Sequence, residues 1–167
     1  DYYRGKTAIL GKKKEIRPEI NHKTNENRAY EVVKFHKGYV FGEPIQYVRR
    51  ENTSAKEGDD TIAADINALN GYMSDADKAE CDNSLAEWMY VAGTAYRLTL
   101  PNRRWSKDGD EPPFLMYALD PRRTFMAYSS DIDERRMMSV CYVERENNEI
   151  EFSVYTEKYY FEFKEHG

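Results

Sequence analysis

The sequence predicts an α+β fold in which N-terminal helices pack on a mostly antiparallel β-sheet. Three observations carry this prediction. Apolar residues recur at helical offsets as far as Tyr96, the period becomes two after Pro113, and turn residues separate the later runs at hairpin spacing. Helices followed by strands, rather than the two in alternation, argue against a parallel sheet built from crossovers.

Residues 1–24 are polar and punctuated by Gly5, Gly11 and Pro18, and they carry Lys12, Lys13 and Lys14 in a row. They are expected to form an extended basic arm, with residues 25–167 as a single α+β domain. Three adjacent lysines cannot share one helical or strand face, so they fit a solvated loop, or an arm lying across a neighbouring subunit. Asn27 is placed to cap a helix carrying Tyr30, Val33 and Val40, with Gly38 as its C-cap or as a close packing point. In KGYVFGEPIQYV, Lys37 to Val48, Gly42 frees the backbone, while Pro44 removes a donor and biases Glu43 away from helical geometry. The helix therefore ends there, and Ile45–Val48 is expected to be a short strand.

Glu51 to Asp60 has the composition of a solvated, disordered loop. Asp60 is expected to cap a helix with Ile62, Ile66, Leu69 and Met73 on one stripe, ending at Asn70-Gly71. Ser74 and Asp77 resemble a capping box for the next helix, whose buried face is predicted to hold Cys81, Leu85, Met89, Ala92 and Tyr96, widened by Trp88. Gly93 lets a strand Tyr96–Leu100 begin, and Pro101 with Asn102 closes it. Beyond a charged loop, Phe114–Leu119 and Thr124–Tyr128 flank the turn Asp120-Pro121-Arg122-Arg123. Met138, Val140 and Tyr142 then alternate with small residues, Asn147-Asn148 supplies a turn, and Ile150, Phe152 and Val154 precede Tyr159, Phe161 and Phe163. This is the pattern of an antiparallel meander.

At 167 residues the chain fits one domain. Charged residues are 33% and aromatics 14%, fourteen of them tyrosine, so a large amphipathic ring surface must be buried or shared with a partner. A net charge of −5 argues against a chain whose whole surface binds nucleic acid, though a local basic patch is compatible with it. No stretch has the length and apolarity of a membrane span, and no apolar signal core follows a basic start, which points to the cytosol. Cys81 and Cys141 are expected to be buried free thiols. The opening on Asp1, without methionine, suggests a piece of a longer protein.

The chemical motifs sought are absent: no phosphate-binding glycine loop, dinucleotide fingerprint, nucleophile elbow or metalloprotease helix occurs. His22, His36 and His166 have no neighbour that would orient a general base. Asp131, Asp133 and Glu134 offer hard oxygens of the kind a metal-dependent hydrolase or nuclease would use, but Arg135 and Arg136 follow directly, as in an ordinary charged connection. Asp59, Asp60 and Asp65 suit a helix N-terminus whatever the function. Arg122 and Arg123 suit an exposed corner better than phosphate recognition. No catalytic, cofactor or metal site is predicted.

Several phrases together resemble the portal proteins of tailed bacteriophages of the siphophage type. They are Tyr2-Tyr3-Arg4-Gly5-Lys6 with Ile9-Leu10, the helix ending Gly38-Tyr39-Val40-Phe41-Gly42-Glu43-Pro44-Ile45, the helix Leu85–Tyr96 closing on Val-Ala-Gly-Thr-Ala-Tyr, and Leu119-Asp120-Pro121 leading to Tyr128. The resemblance implies the outer wing of a non-enzymatic head-to-tail connector, a dodecameric ring at a capsid vertex. DNA is packaged through such a ring, which engages terminase, scaffold or capsid and tail adaptors. The family's stem, clip and channel loop, which make its closest DNA contacts, lie outside the matched part. It further implies a virion location, reached through the cytoplasm of a bacterial host during assembly. Head-to-tail rings use two different patches per subunit, with exposed aromatics enriched there, and Tyr2, Tyr3, Trp105, Tyr155, Tyr159 and Tyr160 are the interface candidates. The competing expectations are the acidic-cluster hydrolase and a free-standing partner-binding module of another assembly.

Overall fold

The computed structural model describes residues 2–13, 15–19, 22–49, 60–109, 111–146 and 149–165. The predicted loop up to Asp59, the Asn147-Asn148 turn, His166 and Lys14 lie outside the described residues. Packing divides the chain into two compact units, Asp1–Ile45 and Gln46–Gly167.

In the first unit, a turn closes through the Gly5 N–H donating to the Tyr2 carbonyl at 2.9 Å, with Gly5 at φ +68°, a conformation that costs glycine least. A single 3-10 turn, Ala8–Leu10, follows. Helix α1, Arg28–Phe41, starts where predicted: the Asn27 side-chain oxygen accepts the Tyr30 N–H at 3.1 Å. The same side chain donates to the Tyr3 carbonyl at 2.8 Å, and Asn25 Nδ2 donates to the Gly5 carbonyl at 2.5 Å. These bonds draw residues 2–5 onto the helix start. Gly38 is neither a cap nor a packing point, because it lies inside α1 with open space where a Cβ would stand. The corner falls at Gly42, where a Cβ would collide with the Gly38 carbonyl oxygen.

Ile45–Val48 is not a strand. No backbone ladder forms because both polar groups of Tyr47 are taken by one side chain: its N–H donates to Asn70 Oδ1 and its carbonyl accepts from Asn70 Nδ2, each at 2.9 Å.

In the second unit, helix α2, Asp60–Asp75, runs through Asn70-Gly71 instead of ending there. Asn70 holds Tyr47 rather than turning the chain. Helix α3, Lys78–Ala92, has Asp77 at its N-cap in left-handed geometry with no side-chain cap bond, so the predicted Ser74/Asp77 box does not form. Ser74 is still within α2, and its carbonyl accepts the Asp77 N–H at 3.0 Å. The helix closes as expected at Gly93, φ +75°, whose N–H donates to the Met89 carbonyl.

The buried face of α3 differs from prediction. Lys78, Cys81, Asp82 and Ala86 are buried, whereas Met89 and Ala92 are exposed. Two charged residues occupy the stripe because they neutralise one another, a pattern that hydrophobicity alone does not reveal.

Strands β1, Tyr96–Pro101, and β2, Phe114–Leu119, pair antiparallel from Tyr96↔Leu119 to Pro101↔Phe114, and α3 packs on them. Asn102 is buried and closes their connection: Nδ2 donates to Glu111 Oε2 at 3.0 Å and to the Pro112 carbonyl at 2.9 Å, while Oδ1 accepts the Arg104 N–H at 3.0 Å. Strands β3 (Thr124–Tyr128), β4 (Arg136–Glu144), β5 (Ile150–Thr156) and β6 (Tyr160–Glu165) form a separate four-stranded antiparallel meander in chain order. Among the described residues the architecture is therefore α+β, with three α-helices and two antiparallel sheets.

The apolar core is small. Ala76, Cys81, Ala86 and Val140 are its buried members, and no large side chain among the described residues is fully buried. Burial of apolar area is the main favourable term in folding, yet many aromatic rings of the described residues are exposed.

Candidate functional site

Two kinds of polar construction hold the second unit. The first is internal. Asp82, 5% exposed, receives the ammonium of Lys78, 7% exposed, one turn earlier on α3, and the guanidinium of Arg97 on β1. The Lys78 ammonium also stands 5.9 Å from the centre of the Tyr47 ring. One carboxylate thus joins the helix start to the strand, and its lysine partner meets the segment that enters the unit. None of this was predicted. The i, i+4 spacing of Lys78 and Asp82 is the only trace of it in the sequence, and such pairs are usually solvated.

The second construction is at the Asp120-Pro121-Arg122-Arg123 corner. Arg122 Nε donates to both Asp120 oxygens at 2.9 and 3.0 Å, and its guanidinium carbon lies 5.3 Å from the Trp88 ring centre. The Arg122 hydrogen bond holds the Asp120 carboxyl below its usual pKa, partly opposed by desolvation. The Tyr142 N–H donates to the Arg123 carbonyl at 2.9 Å, and the Tyr142 hydroxyl donates to that of Arg122 at 3.3 Å. Arg122 is engaged within the fold, in keeping with a corner.

The acidic loop between β3 and β4 is likewise locally paired. Asp133 Oδ2 accepts Arg135 Nη2 at 2.6 Å, the Glu134 N–H donates to the Asp131 carbonyl at 3.0 Å, and Ile132 at the tip is fully exposed. Among the described residues no group of three or more His, Cys, Asp or Glu is arranged to hold a metal ion. His22 is exposed, and the His36 ring stands edge-on to Phe35 at 5.9 Å. Cys81 is buried as predicted; Cys141, the register partner of Thr124 on β3, is only half-buried.

The six aromatic candidates fall into three places. Tyr2 and Tyr3 belong to the first unit, where Tyr2 is exposed and Tyr3 packs on Tyr30 at 5.5 Å between ring centres. Trp105 is exposed in the β1–β2 connection, its N–H donating to the Asn102 carbonyl at 3.2 Å. Tyr155, Tyr159 and Tyr160 gather at the β5–β6 hairpin. Tyr155 and Tyr160 are register partners with rings 4.9 Å apart, and burial pushes the Tyr155 hydroxyl pKa upward. Tyr159 belongs to the opposite face, its ring 6.0 Å from Phe161, which in turn stacks on Phe163 at 6.1 Å.

The pairing register then defines two unlike faces of the meander. One carries Tyr155, Tyr160, Ser153, Glu162, Glu151 and Lys164, laced by Glu151, which accepts Arg145 Nη2 at 2.6 Å and meets Lys164 Nζ at 2.8 Å. The Lys164 bond, then that of Arg145, lowers the Glu151 pKa. On the other face, Phe125, Val140, Val154 and Phe161 form an unbroken apolar row across all four strands, with Tyr142, Phe152 and Phe163 in the next row. Phe125, Phe161 and Phe163 are exposed. The alternation of β6 was legible in the sequence, but not that this face lies open.

The family model for the phage portal protein, SPP1 Gp6-like, matches residues 1–167. The chain belongs to that family. Portal proteins are structural components of the virion, placed at the capsid vertex as an oligomeric ring, the head-tail connector, with capsid and terminase as partners. That role is structural and not catalytic. A comparison with curated proteins returned no match.

Proposed function

We propose that this chain contributes a wing element to a dodecameric portal ring, through which DNA is packaged and later ejected. In this role it supports procapsid assembly in the host cytoplasm and the docking of terminase, scaffold and tail adaptors, without making or breaking a covalent bond. The observation that carries the reading is the open aromatic face of the meander in a chain that matches the portal family along its whole length. Large hydrophobic surface on a folded unit marks an interaction site, and ring assembly requires two different patches on each subunit.

Tyr2, Tyr3, Trp105, Tyr155, Tyr159 and Tyr160 are proposed as subunit-interface residues, the exposed rings of Tyr2, Trp105, Tyr159 and Tyr160 being the first to test. Electron microscopy of the full-length protein that carries this sequence provides the decisive experiment. Rings with a central channel are expected, and particles lacking one would refute the proposal.

A further inference from the structure

Helix α1 has two unlike faces. Val33, Lys37 and Phe41 are half-buried, while Val32, Phe35 and Tyr39, at offsets of three and seven, are 56%, 70% and 83% exposed. Phe35 and Tyr39 are stacked at 6.4 Å between ring centres, so the stripe is an ordered apolar ridge. A ridge of this width fits against a sheet face, and the open face of the meander, with Phe125, Phe161 and Phe163 exposed, is the surface of matching chemistry.

Charge adds a second argument. Residues 1–45 hold ten Lys and Arg against six Asp and Glu, a net +4, whereas residues 46–167 hold fifteen against twenty-four, a net −9. At one end of the aromatic face, Glu144 and Glu165 flank Ile150 in a single cross-strand row, which makes that margin acidic. Each copy therefore carries a basic unit with an apolar ridge and an acidic unit with an apolar face. Opposite charges on two different patches favour head-to-tail contact between copies and oppose like-with-like pairing.

We infer that the Val32–Phe35–Tyr39 ridge of one copy seats on the exposed, stacked Phe161 and Phe163 rings of the next copy's meander. This rests on the portal reading above and names the surfaces by which the ring would close. The occupant of the sheet face is a second copy of this chain, and the contact is heterologous.

The test is a cysteine pair, Phe35→Cys with Phe161→Cys, in the full-length protein with Cys81→Ala and Cys141→Ala and any other cysteine removed. Oxidation is expected to give a ladder of disulfide-linked multimers on non-reducing denaturing gels, while either single variant stops at dimers. A double variant that stays monomeric, or links only within its own chain, while light scattering still reports the ring, overturns this contact and leaves the portal reading intact. Failure of the parent protein, without any substitution, to form a ring overturns both. Independently, Tyr39→Glu is expected to weaken assembly about tenfold or more with the helical circular dichroism unchanged, as for loss of one aromatic anchor. Unchanged assembly would also overturn the contact.

Discussion

The α3–β1–β2 region and the four-stranded meander are neighbours in sequence and opposites in construction. The first is closed by buried polar groups: Asp82 with Lys78 and Arg97, and Asn102 with the loop it ends. The second is held by its ladders and by surface ion pairs such as Glu151 with Arg145 and Lys164, and leaves aromatic rows open. A buried ion pair is costly to break, whereas exposed pairs contribute little. The first region is therefore held by buried polar contacts, and the second leaves aromatic rings exposed.

Breaking those buried contacts should have the largest effect. Asp82→Ala leaves Lys78 buried without its carboxylate and is expected to cost about 3–5 kcal/mol in denaturant unfolding. A paired Lys78→Met, Asp82→Leu variant should recover part of that loss, since matched apolar groups can replace the buried pair while the more exposed Arg97 loses its carboxylate. Asn102→Ala removes the side-chain acceptor and donor that close the loop, and about 2 kcal/mol should be lost. In the meander, Thr124 Oγ1 is buried with no hydrogen-bond partner among the described residues, so Thr124→Val should raise stability by roughly 1 kcal/mol. A loss there would show that the hydroxyl is used.

Acid sharpens the same contrast at the corner between the two sheets. The folded Asp120 carboxyl titrates below its unfolded value because Arg122 donates to it, so its contribution is complete above the ordinary carboxylate range and disappears as pH falls through the lower folded value. Unfolding measured down the acid limb should accordingly show a smaller loss of stability for Asp120→Asn than for the parent. The smallest effect belongs to the exposed rings. Tyr159 is exposed, so Tyr159→Ala should change the stability of the chain by less than about 0.5 kcal/mol while reducing assembly measured by light scattering.

Much of the order of elements was legible from residues alone. Asn27 marked the start of α1, Gly93 the end of α3, and the bounds of Phe114–Leu119 and Thr124–Tyr128 match β2 and β3. Misreadings came where a side chain served a distant segment. Asn70 signals a helix end by its type, yet it binds Tyr47, twenty-three residues away, and α2 continues. Ser74 and Asp77 have capping-box spacing but stand on either side of a helix junction. Met89 belongs to the apolar period of α3 and is nevertheless exposed, because the buried face of the helix runs through Lys78, Cys81, Asp82 and Ala86.

By itself the sequence determined what local forces decide: the period of each segment, its caps and turns, the shortage of catalytic motifs and the excess of aromatic rings. These depend on neighbours within a turn or a hairpin, and a reader of the chain has all of them. Tertiary structure alone decided that the sheet divides in two, that Lys78 and Asp82 are buried and not solvated, and that one aromatic face stays open. Which face of a segment is covered is set by contacts between residues far apart in the chain, and no local pattern records them.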